Sequence, residues 1–195
     1  MKTKLPRGIN SLPEGYKSVY RIDMKHDKKL IIWINVAALI ILLPFLPFIF
    51  TFFLALDDTR TSIIVLAVLI VCFVLMIVFH EGLHGVFFKL YTKSKVKYQF
   101  HGWAFSASVP GYYLYKRQFI ITASAPAVVL NLILLGLCFA GGAITATAFT
   151  LLAFHFSSCF GDFYALWKIR KYPPDTLTTD IGDAMEFFVK KDSEE

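Results

Sequence analysis

In VFHEGLHGVFFKLY, residues 78–91, two histidines and a glutamate stand at the end of an otherwise apolar run. His80 and His84 are four residues apart, so on a helix they lie on one face, one turn apart, and both imidazoles reach one metal ion. Glu81 sits about 100° round from His80, within reach of a water on that ion. Neutral imidazole suits Zn²⁺, which in catalytic sites takes three protein ligands and leaves a fourth position for water. The chemistry this predicts is hydrolysis, with Glu81 as the general base that takes the proton of the water as it attacks a carbonyl. An H-E-x-x-H arises by chance in a chain this long at roughly 1%. The competing reading is a polar cluster that satisfies its own hydrogen bonds at a membrane boundary.

Two histidines leave a third ligand to be found. Of the 14 acidic residues only Glu81 and Asp162 lie inside apolar segments, where a carboxylate is costly unless paired or coordinated. Each of His80 and Asp162 lies roughly 27 Å from the external start of its helix, so the two share a depth. Asp162 is the leading candidate. His155, seven residues earlier, projects from nearly the same face but about 10 Å further outward, so it does not easily share an ion with Asp162. It is the rival ligand, as are the tail carboxylates Asp175 and Asp180; otherwise it reads as a polar group bonded inside the bundle or lining a water channel. Asn131, an amide in mid-span, reads first as a hydrogen bond between helices and second as a donor to a substrate carbonyl. Pro126 frees a backbone carbonyl nearby. His26 and His101 fall outside the apolar segments and read as surface or interfacial residues.

These residues need elements that hold them in a bilayer. The chain has 195 residues, 56% hydrophobic, with 20 Phe and a mean hydropathy of +0.59, the composition of a membrane protein. No charge occurs from Leu30 to Leu56, from Ile63 to Phe79 or from Phe119 to Gly161. The last run is too long for one crossing, and Gly141–Gly142 in AGGAITAT supplies the turn. The predicted fold is all-α, with four transmembrane helices over about 30–56, 62–91, 118–140 and 144–170. A cytoplasmic arm (1–29) precedes this domain (30–171) and a cytoplasmic tail (172–195) follows it. Pro44 and Pro47 should kink the first span. Between the second and third spans, Val96, Tyr98 and Phe100 alternate with polar residues before a Pro110–Gly111 turn. This predicts a small β-hairpin or sheet at the cytoplasmic interface, either an aromatic belt or an edge for an extended peptide. The arm reads as irregular, and a short amphipathic helix is expected from Ile181 to Val189.

Eight Lys/Arg precede the first span, one lies in the first loop, six fall in 89–117, none in the glycine turn and five follow Lys168 inclusive. The positive-inside rule then puts both termini, and the H-E-x-x-H end of the second span, on the cytoplasmic side. These flanking charges account for the net charge of +6 without a nucleic-acid partner. Cys72, Cys138 and Cys159 all lie in spans and read as small apolar fillers.

H-E-x-x-H late in one span, an interfacial sheet after it and an Asp beside a Gly in a later span resemble the site-2 proteases, the intramembrane zinc metalloproteases. HEGLHG followed by CFGD and a DIGD tail is similar, more closely, to a small four-span bacterial family of zincin peptidases. The resemblance implies a site-2-protease-like core in a bacterial cell membrane. It also implies one zinc held by His80, His84 and Asp162, with Glu81 as base, and cleavage of peptide bonds in or beside membrane segments of substrate proteins. A zinc transporter or metal-sensing membrane protein is the alternative, since transporters also place His and Glu on one spanning helix.

Overall fold

Asp27 and Asp58 open the first two long apolar helices by the same device. In the computed structural model, which describes residues 7–56, 58–102 and 105–191, each carboxylate accepts a backbone N–H three residues on, from Leu30 and Thr61, both at 2.9 Å. This satisfies donors that a helix start otherwise leaves unpaired. Helix α1 (Lys28–Leu42) passes through a 3₁₀ turn at Leu43–Phe45 into α2 (Leu46–Leu54). Pro44 and Pro47 bracket the break, because neither has an N–H for the helical ladder. Helix α3 (Thr59–Thr92) is 34 residues long, about 51 Å, and ends where Lys93 turns left-handed at φ 60°. Helix α4 (Lys116–Leu137) follows, then a turn in which Gly141 and Gly142 take φ of 88° and 55°, and then α5 (Gly142–Ser158) and α6 (Phe160–Ile169).

Four helical stretches, Lys28–Leu54, Thr59–Thr92, Lys116–Leu137 and Gly142–Ile169, are long and apolar enough to cross a membrane, in agreement with the four predicted spans. Ile32, Trp33, Phe48, Ile63, Leu132 and Phe139 point outward uncovered, as they would toward lipid. The last stretch is broken at Cys159. There Ser157 and Ser158 turn their hydroxyls back onto the carbonyls of Ala153 and His155, at 2.8 and 2.9 Å, and Gly161 follows. Such bonds compete with the helical ladder and bend it.

Strands β2 (Lys97–Phe100) and β3 (Phe105–Ser108) form the expected hairpin between the second and third spanning helices. It packs on α3 at Gly85, where a Cβ would collide with the Tyr98 hydroxyl. Glycine lets the hairpin lie close behind His84.

The two ends of the chain depart from expectation. The arm contributes β1 (Tyr16–Asp23), and the tail forms β5 (Leu177–Asp180) and β6 (Ala184–Lys190) rather than a helix over 181–189. With β4 (Leu114–Tyr115) they make an antiparallel sheet in the order β1-β6-β5-β4. The reason is local chemistry in DIGD. Asp180 Oδ1 accepts the Gly182 N–H at 2.8 Å and Gly182 takes φ 97°, a tight turn that reverses the chain where a helix would have continued it. Phe187, Phe188 and Val189 then pair along strands and are buried. Phe187 is fully covered and meets the rings of Tyr20, Phe119 and Tyr172 at 5.8–5.9 Å. It joins the sheet to the start of α4, in a core with Ile22, Phe88, Leu114 and Ile169.

Candidate metal centre

The last third of α3 and the first turn of α6 bring His80, His84 and Asp162 to one point. His80 Nε2 lies 3.2 Å from His84 Nε2 and 3.4 Å from Asp162 Oδ2, and His84 Nε2 lies 3.6 Å from Asp162 Oδ1. Zinc with ligands at about 2.0–2.1 Å in a tetrahedron needs donors separated by about 3.3 Å along each edge. The three separations fit that edge, and each side chain is largely covered, with 13–16% of it exposed. The break at Cys159 makes this possible by starting a new helix whose first turn holds Asp162. Among the described residues one further trio has donor atoms equally close, His80 with His155 and Cys159.

Each histidine of the pair is fixed from behind. His84 Nδ1 lies 2.9 Å from the backbone oxygen of Thr122. In an unbroken ladder that oxygen would accept the N–H of residue 126, but residue 126 is Pro. The freed carbonyl anticipated beside the site is therefore that of Thr122, and the His84 imidazole donates to it. His80 Nδ1 lies 3.1 Å from His155 Nε2, and His155 Nδ1 lies 2.7 Å from Asn131 Oδ1. His155 thus stands behind His80, and the Asn131 oxygen is turned to His155.

A cavity of about 180 Å³ opens in front of the cluster. Glu81 lines it, beside Ala107 of β3. The hairpin and the tail turn meet over this space: a Cβ on Gly182 would come within 2.9 Å of Ser106 Oγ. Asp180 and Asp183 also line it. Burial pushes the Asp180 carboxyl up to about 7, opposed by the Gly182 N–H and the His84 charge and reinforced by Glu81 and Asp162. His101, read as a surface or interfacial residue, belongs to the same wall and lies 2.8 Å from Ser106 Oγ. The hairpin folds back over α3 and carries it there, which no local pattern announces. Asp175 stands apart beside Lys190, at 3.7 Å, and exposed His26 is paired with Asp23 at 3.1 Å.

The family described as "Putative zincin peptidase" matches residues 73–177, just over half of the 195-residue chain. That segment holds the H-E-x-x-H helix, the β2–β3 hairpin, Asn131, His155 and Asp162. No curated protein and no solved structure matches the chain. The family match and the zinc-sized donor cluster within it agree, and the chain belongs to this zincin peptidase family.

Proposed function

We propose that the chain is a membrane-embedded zinc metalloendopeptidase of the site-2-protease kind, with zinc held by His80, His84 and Asp162 and with Glu81 as general base. The observation that carries this is the set of donor separations, 3.2, 3.4 and 3.6 Å, with Glu81 on the same cavity. Bound zinc supplies a Lewis acid that acidifies a water and polarises the scissile carbonyl. Glu81 would take a proton of the attacking water as the water oxygen adds to the carbonyl carbon. It would return that proton to the amide nitrogen as the C–N bond breaks, leaving a carboxylic acid and an amine.

The cluster sits about two thirds of the way along the 34-residue helix α3, and its cavity is roofed by strands. This supports a substrate that is itself a membrane protein, cut in or beside a membrane segment. The distribution of Lys and Arg supports a site on the cytoplasmic side, with both termini there. Glu81→Gln in the purified full chain should keep zinc and lower the cleavage rate about 10²–10⁴-fold. Full activity in that variant refutes the assigned base, and metal flux in sealed vesicles without cleavage favours a transporter.

A further inference from the structure

The hydrolytic chemistry leaves His155 without a task, yet it is only 1% exposed and is hydrogen-bonded at both ring nitrogens. Its partners form a line: Asn131 on α4, His155 on α5 and His80 on α3. Proton placement gives this line a direction. His80 faces the metal cluster through Nε2, so a neutral ring must leave Nε2 bare and carry its proton on Nδ1. That Nδ1–H points at His155 Nε2, which must be bare to accept it. The proton of His155 is then on Nδ1 and is donated to Asn131 Oδ1.

We infer that His155 and Asn131 are positioning residues, a side-chain relay across two helices that holds His80 in the tautomer and orientation that offer Nε2 to zinc. This rests on the proposed zinc centre. It parallels the support of His84 by the Thr122 carbonyl, with side chains in place of backbone. A metal shared by His80, His155 and Cys159 is the competing use of these groups. The geometry disfavours it. Cys159 Sγ lies 3.8 Å from both ring nitrogens of His155, midway between them rather than along the lone pair of Nε2. Such a site would also need His80 Nδ1 bare, which in a neutral ring takes Nε2 away from His84 and Asp162.

The test is zinc affinity of the full chain in lipid nanodiscs, measured by competition with a chromogenic chelator, with the visible spectrum of the cobalt-substituted protein as a second readout. His155→Leu should bind zinc about 10–100-fold more weakly. His155→Gln, which keeps an acceptor for His80 and a donor for Asn131, should recover most of the loss and the wild-type cobalt spectrum. Asn131→Leu should also weaken binding, yet add little in the His155→Leu background. Cys159→Ala should bind as wild type. Wild-type affinity in His155→Leu overturns the relay, and so does Gln no better than Leu at 155 or loss of zinc in Cys159→Ala. Should His155→Leu fail to fold, Asn131→Leu decides, and wild-type affinity there overturns the inference. A wild-type chain that takes up no zinc overturns the proposed function and the relay together, whereas normal wild-type binding unmoved by these variants overturns the relay alone.

Discussion

His84 Nδ1 lies 2.9 Å from the backbone oxygen of Thr122, the carbonyl that Pro126 leaves without its helical donor. A proline that costs a helix interior about 3 kcal/mol thus gives a histidine of the donor cluster its acceptor. Pro126→Ala should restore an N–H that competes for the Thr122 oxygen. We predict equal or greater thermal stability together with zinc affinity lower by about tenfold or more. Chelator competition and thermal unfolding on the same sample separate the two effects.

The rival carboxylates can be told apart by zinc content. Asp162→Ala removes one of the three close donors and should lose stoichiometric zinc, whereas Asp175→Ala should keep it, since Asp175 lies beside Lys190. Asp180→Ala should also keep it, because Asp180 lines the cavity without joining the donor trio. Elemental analysis of the purified variants reads this directly.

Asp180 should make the tail sheet pH-sensitive. Burial raises its carboxyl from the ordinary 3.8 to about 7, so the folded state binds the proton more tightly than the unfolded chain. Its contribution to stability is then fully present below about pH 4 and is lost as pH rises through about 7. Asp180→Asn keeps an oxygen for the Gly182 N–H and cannot ionise. The variant should match the parent near pH 4 and be the more stable above pH 7, as read by hydrogen exchange of the β5 and β6 amides. Equal stability of the two proteins above pH 7 contradicts this.

Phe187 ties the tail to the membrane domain through Phe119 on α4, with ring centroids 5.8 Å apart. Phe187→Ala should destabilise the fold by about 3–5 kcal/mol, seen as a lowered unfolding midpoint. Cleavage should fall as well, because the same sheet carries Asp180 and Gly182 over the cavity.

The H-E-x-x-H cluster and its aspartate were legible because their signal is local. A four-residue spacing fixes a helix face, and a lone acid in a long apolar run marks itself by its desolvation cost. The four spans were legible for the same reason. The four-stranded sheet was not, since Tyr16 of β1 pairs with Lys190 of β6 at the other end of the chain. Residues 184–189, apolar except for Glu186, suit a helix or a strand, and the deciding signal was the Asp-x-Gly turn ahead of them. His155 and Asp162 share a face only on an unbroken helix. The break at Cys159 separates their positions, leaving His155 behind His80 and carrying Asp162 to the side where His80 and His84 converge. That break lies in serine hydroxyls that bond back to the helix, a choice the sequence permits without announcing.

His80, His84 and Asp162 are proposed to hold a hydrolytic zinc. The most direct measurement pairs zinc content with cleavage of a reconstituted membrane-segment substrate for the parent chain and Glu81→Gln. About one zinc per chain is expected in both proteins, with cleavage by the parent alone. Zinc absent from the parent, or undiminished cleavage by Glu81→Gln, would contradict it.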